Sequence, residues 1–348
     1  MQQPEIAIIL NPGSGSTDEE FNTKVREALR ASGRAFICLE THPEEGAAPA
    51  IKEAADKGVS TVVVCGGDGT VMSAVNALGK METDLRLAIV PGGTANLLAR
   101  ALGVPLDVEG AMSVALEGDE RRIDMGVCGD TLFALGLGLG LTEKLVSKSS
   151  SEEKEKLGKW AYVKSMLEEI GAQPTTFTYT LDDGQEQETK GVAVVVANAG
   201  TLSGRVEFAP GAKMDDGKLD LVILHQLKVL DLGRLLWKSV FGDLKEDRVL
   251  TCLAGKNIHI ECNPPLDLQI DGETVETRPP LQIEVRPGAL RVAVPSEEQK
   301  ASFTQKLAEA VTGESGKTAR PKWWYLAPVG AFALIGTLIW TLSKGKNK

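Results

Sequence analysis

The chain has 348 residues, of which 43% are hydrophobic, and it carries 48 acidic and 38 basic side chains for a net charge of -10. This length and composition predict an ordered protein of about two domains, and the acidic balance argues against a nucleic-acid partner. The five cysteines lack C-x-x-C spacing and the three histidines lie far apart, which argues against a zinc site and favours reduced thiols in the cytosol.

The first hundred residues alternate short apolar strands with helices. Each strand is followed by a loop rich in glycine, serine, threonine or asparagine and then by a helix; the predicted strands are 5–10, 35–39, 62–65 and 85–90. This alternation predicts a doubly wound parallel sheet in which right-handed crossovers bring successive strand ends to one edge. We therefore expect the loops at Asn11, Thr41, Gly66 and Gly92 to line a single cleft.

The loop after the third strand has the strongest chemical signal. Gly66, Gly67 and Gly69 allow the backbone to pass close to a bulky anion, and Thr70 can direct the first amides of the next helix toward phosphate. Asp68 lies at the carboxyl end of a strand, where α/β sheets bind ligands, and an acid beside phosphate usually requires Mg²⁺. The loop predicts a nucleotide site; the alternative is a tight turn without a ligand.

The pattern changes after Asp124, where alternating runs predict an antiparallel β domain that begins near Met125. Its predicted strands are 131–139, 175–181, 191–197, 219–224, 257–262, 266–270 and 281–285, with a polar loop at 147–156 and an amphipathic helix at 160–170. A last strand at 290–294 and a helix at 302–311 are expected to return to the first domain. The predicted units are therefore 1–124 with 288–311 packed on it, 125–287, and a linker at 312–322.

Two turns of the second domain contain paired acids. Asp215 and Asp216 precede a strand, whereas Asp271 and Glu273 flank a glycine after another strand. Alone, each is an ordinary hairpin turn. A turn carboxylate with neighbouring carbonyl groups also suits Mg²⁺, and a carboxylate at the cleft can accept a proton from a hydroxyl group.

Residues 323–342 form an uncharged apolar run of about the length that a helix needs to cross a bilayer. Aromatic residues lie near both ends of this run and basic residues lie outside both, as in membrane-spanning segments. The pattern predicts a single-pass carboxy-terminal membrane anchor with both domains in the cytoplasm. The alternative is a buried carboxy-terminal helix.

Four motifs, in this order along the chain, resemble those of the diacylglycerol kinase catalytic-domain family: Asn11-Pro12-x-Ser14-Gly15, Gly66-Gly67-Asp68-Gly69-Thr70, Pro91-x-Gly93-Thr94-x-Asn96 and Asp216-Gly217-Lys218-Leu219-Asp220. That family includes bacterial lipid kinases and the sphingosine and ceramide kinases. The resemblance runs from about residue 5 to residue 294 and implies a nucleotide domain followed by a β-sandwich. It also implies that ATP and Mg²⁺ bind in the cleft and that a lipid hydroxyl group accepts the phosphoryl group.

The same resemblance implies roles for individual residues. Glu273 would be the proton acceptor with Asp271 beside it, and Asp68 would act near the nucleotide's Mg²⁺. A structural Mg²⁺ would be held by Asp216 and the carbonyl groups of Lys213 and Lys218, and linked through water to Asp124. The nucleotide contacts would fall on Asn11, Pro12, Gly13, Ser14, Gly15, Thr41, Gly66, Gly67, Asp68, Gly69, Thr70, Val71, Met72, Gly93, Thr94 and Asn96.

One position departs from the family pattern. Many relatives carry a basic residue after Ser-Gly in the first loop, where this chain has Ser16. We therefore expect Mg²⁺, backbone amides and Arg100 to neutralise more of the phosphate charge.

These observations predict an ATP-dependent lipid kinase that acts on diacylglycerol or a related lipid. Two alternatives stay open: a kinase of a soluble acceptor, as in NAD kinases and sugar kinases, and a non-catalytic, membrane-bound nucleotide sensor. The acceptor lipid is not readable from the pattern, because diacylglycerol, sphingoid bases, ceramide and isoprenoid alcohols all present a hydroxyl group on an apolar body. The oligomeric state is not readable either, and a homodimer is compatible with the sequence.

Overall fold

The structure is a computed structural model that describes residues 4–11, 19–140, 173–200, 209, 211–226 and 249–312. It contains an N-terminal parallel α/β domain and a C-terminal antiparallel β-sheet domain. The predicted loop at 147–156, the helix at 160–170 and the anchor at 323–342 lie outside the described residues. Within the described ranges, no helix has both the length and the hydropathy needed to span a bilayer.

The first domain confirms the predicted alternation of strands and helices. Its elements are β1 (Ile6–Leu10), α1 (Glu19–Ser32), β2 (Phe36–Glu40), α2 (Ala48–Asp56), β3 (Thr61–Gly66), α3 (Asp68–Met81), β4 (Arg86–Pro91), α4 (Leu97–Ala101) and α5 (Val108–Glu117). The strands pair in parallel in the order β2-β1-β3-β4. Every residue of β1 and β3 is buried, as expected for parallel strands that are covered on both faces.

The second domain contains more strands than the alternating runs predict. From β5 onward the elements are β5 (Asp119–Cys128), β6 (Thr131–Phe133), β7 (Gly136–Leu139), β8 (Thr175–Leu181), β9 (Gln187–Gly191), β10 (Ala193–Ala197), β11 (Leu219–Leu224), β12 (Leu250–Gly255), β13 (Asn257–Asn263), β14 (Leu268–Ile270), β15 (Glu273–Val275), β16 (Leu281–Val294) and α6 (Glu297–Thr312). The helix α6 packs against the first domain through Phe303 and Gln299. The strand predicted at 131–139 is two strands, and the alternating runs do not predict β5, β9, β12 or β15. A six-stranded sheet has the order β12-β11-β10-β7-β14-β15.

The two domains share the long strand β16. Its first residues pair with β13, its last residues pair in parallel with β4, and β5 runs antiparallel along both parts. Leu281 and Ile283 belong to the core of the second domain, whereas Leu290 and Val292 belong to the core of the first. The predicted domain limits after residues 124 and 287 therefore fall inside β5 and β16.

Candidate active site

The nucleotide loop lies where β3 ends and α3 begins, against the loop that follows β4. A Cβ atom on Gly93 would lie 2.6 Å from the Cα of Gly67, and one on Gly67 would lie 3.3 Å from the Cα of Gly93. Only residues without a side chain permit such a close approach. The two glycine turns therefore form one continuous backbone surface at the carboxyl edge of the sheet.

Asp68 connects these two turns. Its carboxylate accepts hydrogen bonds from the backbone amides of Asn96 and Leu97, at 2.8 and 2.5 Å. Both amides belong to the first turn of α4, so Asp68 caps that helix from a distant part of the chain. The sequence does not predict this cap, because Asp68 and the two amides that donate to it are 28 and 29 residues apart in the chain.

Hydrogen bonds within the protein also hold other predicted nucleotide contacts at this edge of the sheet. The Asn11 side chain donates to the Thr70 hydroxyl group at 3.0 Å, and the Thr41 amide donates to the Leu10 carbonyl group at 2.9 Å. Asn96 adopts a left-handed conformation, with φ of 49°, and its side chain exchanges two hydrogen bonds with the Gly93 backbone. These loops line one edge, as the topology predicts.

Some of the predicted nucleotide contacts are buried, and others lie outside the described residues. Val71 and Met72 are both buried, and Val71 packs in the core of the first domain. Arg100 donates from Nε to the Ala95 carbonyl group at 2.7 Å, so its guanidinium group is tied to the loop after β4. Pro12, Gly13, Ser14 and Gly15 lie outside the described residues.

Glu273 reaches the nucleotide loop from the second domain. A Cβ atom on Gly69 would lie 4.0 Å from its carboxylate oxygen Oε1, and Glu273 is exposed. It is the first residue of β15, directly after the Asp271-Gly272 turn that joins β14 to β15. The predicted meeting of an acid from the later half of the chain with the early glycine loop is therefore present.

Glu273 and residues of the first domain together line a cleft of about 410 Å³. One wall is the face of α3 from Gly69 to Lys80, and the beginning of α2 forms another wall. Four residues that line this cleft were not predicted from the sequence: Glu45, Ser73, Asn76 and Lys80. For Ser73, Asn76 and Lys80 the available signal is the helical spacing of 69, 72, 73, 76 and 80, which places these positions on one face of α3. Glu45 lies before α2 and has no such signal.

Asp271 is anchored rather than aimed into the cleft. Its carboxylate accepts hydrogen bonds from the amides of Ala134, Leu135 and Gly136, each at 2.9 Å. Burial raises the pKa of Asp271 to about 6, although the three amides oppose the shift, and the nearby Glu273 raises it further. Asp271 thus attaches the β14–β15 hairpin, which includes Glu273, to residues 134–136.

The predicted metal turn is attached to both domains through Asp124, which is only 2% exposed. One carboxylate oxygen of Asp124 accepts from the Gly217 amide and the other accepts from the Gly288 amide, both at 2.7 Å. Asp216 accepts from the amide of Lys218 at 3.1 Å. Among the described residues, no three or more His, Cys, Asp or Glu side chains converge on a possible metal position, so a cation here would depend on Asp216 and carbonyl oxygens.

Comparisons with known proteins agree with this arrangement. Residues 5–128 match the model of the diacylglycerol kinase catalytic domain, and residues 140–294 match that of the YegS C-terminal NAD kinase beta sandwich-like domain. A "Probable lipid kinase YegS-like" protein of Pseudomonas aeruginosa is 32% identical over 301 residues, covering 85% of this chain and 96% of the relative. The chain belongs to the diacylglycerol kinase catalytic-domain family. Membership of this kinase family implies the use of ATP.

Further members of the diacylglycerol kinase family resemble most of the chain. A "Diacylglycerol kinase" of Bacillus subtilis is 28% identical over 270 residues, which cover 76% of this chain and 88% of that protein. The crystal structure of a diacylglycerol kinase from Bacillus anthracis superposes with a TM-score of 0.68 at 30% identity, covering 83% of this chain and 96% of that one. The similarity therefore includes both domains.

Proposed function

We propose that the protein is an ATP-dependent lipid kinase that transfers the γ-phosphoryl group to a lipid hydroxyl group. Diacylglycerol is the first acceptor to test, because relatives with this chain's two-domain architecture are named for it. The observation that carries the proposal is the position of Glu273, which the second domain extends to Gly69 of the nucleotide loop. A protein that only bound nucleotide would not need a carboxylate at this point.

The edge of the first sheet supplies the phosphate site. The turns around Gly67 and Gly93 expose backbone at the start of α3, where amide groups and the helix dipole favour an anion. The cleft beside α3, which includes Gly69, supports placing the rest of ATP there. Asn11, Thr41 and Thr70 are proposed as further nucleotide contacts at the carboxyl edge of the sheet.

Magnesium is proposed at two positions, near Asp68 and at the turn that contains Asp216. The donors available at the turn are one carboxylate and the carbonyl groups of Lys213 and Lys218, an all-oxygen set of the kind that Mg²⁺ prefers. Mg²⁺ would neutralise charge on the phosphates during transfer.

The proposed step is a direct transfer in the cleft. Glu273 accepts the proton of the lipid hydroxyl group while that oxygen forms a bond to the γ-phosphorus, and the bond from phosphorus to the β-phosphate oxygen breaks. The products are a phosphorylated lipid and ADP. Positioning and electrostatic stabilisation supply most of the catalysis in such transfers.

We propose that the protein also binds the bilayer, and that the apolar run at 323–342 inserts into it. A tether would hold an acidic protein next to its lipid acceptor at high effective concentration, without electrostatic attraction to the surface. Both domains are proposed to face the cytoplasm, where ATP is present. A tag on the carboxy terminus would then lie on the far side of the membrane, so protease added to sealed cells should cleave it, and protection of the tag would refute this orientation.

The activity is tested with the full chain, γ-labelled ATP, Mg²⁺ and vesicles of total lipid extract, beside a reaction that contains NAD instead of lipid. We expect label in the lipid fraction. Label in NADP would instead identify a kinase of a soluble acceptor, and no transfer to either would favour a nucleotide sensor.

Glu273→Gln should lower kcat by about 10²-fold, because the variant retains the size of the side chain and loses the proton acceptor. The matched control is Glu261→Gln, which removes an exposed carboxylate that pairs with His259 on β13. Steady-state kinetics on lipid vesicles measure both variants. Full activity of the Glu273 variant would remove Glu273 from the proposed role.

A further inference from the structure

Asn198 follows β10 directly and is fully buried. Its side-chain amide donates to the carbonyl oxygen of Asp124 at 2.7 Å and to that of Ala134 at 2.8 Å. Its backbone amide also donates to the Leu135 carbonyl group at 2.9 Å. One side chain therefore joins two segments that are otherwise held by different carboxylates.

The first of these segments leads to the predicted metal turn. Asp124 lies in β5, and its carboxylate binds the amides of Gly217 and Gly288. The Asp124 amide also donates to the Met214 carbonyl group at 2.6 Å. Asn198 thus contacts the residue that fixes the 214–218 turn.

The second segment leads to the acid in the cleft. Ala134 and Leu135 donate their amides to the carboxylate of Asp271, and Asp271 starts the two-residue turn before Glu273. A continuous set of hydrogen bonds therefore runs from Gly217 through Asp124, Asn198 and Ala134 to Asp271. Each of its bonds is 2.9 Å or shorter.

The other side-chain atom of Asn198 indicates that stability alone does not explain this residue. Its Oδ1 is buried and has no hydrogen-bond partner within the described part of the chain. An unpaired buried acceptor lowers the stability of the fold, so a buried asparagine that uses only its donor group calls for another explanation.

We propose that Asn198 is a positioning residue that holds the Glu273 hairpin in a fixed relation to the 214–218 turn. It touches neither nucleotide nor acceptor in this proposal; it acts through Asp124 on one side and through Ala134 and Asp271 on the other. The proposal rests on the proposed kinase function for its kinetic consequence. Its structural consequence is independent of that function.

The kinetic test uses Asn198→Ser, which keeps a donor but is too short to reach both carbonyl groups, and Asn198→Leu, which has a similar size and no donor. We expect kcat for lipid phosphorylation to fall by between about tenfold and about 10²-fold in both, with the KM for ATP unchanged, because the hairpin shifts while the nucleotide loop does not. An unchanged kcat, or an equal loss in kcat and in ATP affinity, would overturn the proposal.

A double-mutant cycle adds a criterion that a merely structural role would not meet. Asn198→Ser and Asp271→Asn act on one set of bonds, so their effects on kcat should be smaller together than the sum of the separate effects. Asp107→Ala, at the start of α5, serves as the control: it should leave kcat unchanged by itself and should not alter the effect of Asn198→Ser on kcat. Additive effects in the first pair would contradict the proposal.

Hydrogen exchange tests the coupling without any activity, on the unmodified full chain. The amides of 134–136, 214–218 and 273–275 should open with a common free energy, distinct from that of β1 and β3, because they form one hydrogen-bonded unit. Different opening free energies for the metal turn and the hairpin would refute the coupling even if the protein proves to be a lipid kinase. A common value would support it even if no lipid is phosphorylated or the variants fail to fold.

Discussion

Asp68 occupies a position in which one carboxylate serves both the nucleotide loop and the capping of α4. Because its two oxygens accept hydrogen bonds from the amides of Asn96 and Leu97, replacing it removes a helix cap as well as a charge beside the proposed phosphate site. Asp68→Ala should lower the free energy of unfolding by about 1–2 kcal/mol and abolish lipid phosphorylation. Urea unfolding and the transfer assay measure the two effects separately.

The matched control for Asp68 is Asp107→Ala. Asp107 caps α5 through the Gly110 amide at 2.8 Å. This variant should lose similar stability while it keeps its activity, since its helix does not border the cleft. If both variants lose the same stability and Asp68→Ala keeps its full rate, Asp68 is a structural cap only.

Asp271 should make stability depend on pH. Burial raises its pKa in the folded protein to about 6 from an ordinary value of 3.8, so the folded state binds this proton more tightly than the unfolded chain does. Its contribution to stability is fully present below about pH 4 and is lost as the pH rises through about 6. Asp271→Asn should remove this part of the pH dependence in urea unfolding from pH 4 to pH 7.

Asp267→Asn is the control for the Asp271 variant, because Asp267 is an exposed carboxylate on the approach to β14 that pairs with Arg278. It should leave the slope of stability against pH as it is in the wild type. An identical slope in wild type and in Asp271→Asn would show that the three amides fully offset the burial of the carboxylate.

At the scale of single residues, the sequence predicts which residues belong to the site better than it predicts the contacts that they make. Gly67, Gly93 and Glu273 could be selected because glycine turns and strand-end acids have local signals. The caps made by Asp68 and Asp271 could not, since each depends on amides that are distant in sequence and adjacent only after folding. Asn198 had no signal at all, because a lone asparagine after an apolar strand resembles any turn residue.

At the scale of elements, a side chain added to one glycine turn should displace the other turn, because the two are in direct contact. In Gly93→Ala the new methyl group would lie 2.6 Å from the Cα of Gly67, which is backbone and cannot rotate away. We expect the turns to separate and kcat/KM for ATP to fall by about 10²-fold, because the phosphate site is built from both turns. Steady-state kinetics with varied ATP measure this loss.

Gly33→Ala provides the comparison for the Gly93 variant. Gly33 has φ of +68°, so alanine there is strained, but nothing lies within 4 Å of the added atom. This variant should lose some stability and retain its affinity for ATP. A similar fall in kcat/KM for both variants would indicate general destabilisation rather than separation of the turns.

The early elements could be predicted because their signals are local. The apolar runs of β1 to β4 and the loops after them repeat one pattern, and helices follow these loops as the pattern predicts. The continuity of β16 could not be predicted, because Pro287-Gly288 reads as a turn between two strands. The structure instead places an irregularity between Arg286 and Leu290, with Gly288 at φ of +59° donating its amide to Asp124.

At the scale of the whole molecule, β16 should make the two domains unfold together. Ile283→Ala removes a fully buried side chain from the second domain and should lower the free energy of unfolding by about 2–5 kcal/mol. Because the same strand also pairs with β4, hydrogen exchange should accelerate in β1 as well as in β11. Far-UV circular dichroism should show a single transition.

Leu106→Ala, which alters a side chain that is 40% exposed, should leave exchange in both domains unchanged. Two separate unfolding transitions, or faster exchange confined to the second domain in Ile283→Ala, would show that β16 does not transmit stability between the halves.

The place of β16 in the chain also bears on biosynthesis. The strand beside β4 comes from residues 281–294, so the sheet that begins with the sixth residue lacks its neighbour until nearly three hundred residues have left the ribosome. During synthesis the edge of β4 therefore stays unpaired until β16 has been made. An amino-terminal fragment expressed by itself would keep that edge exposed to association with other chains.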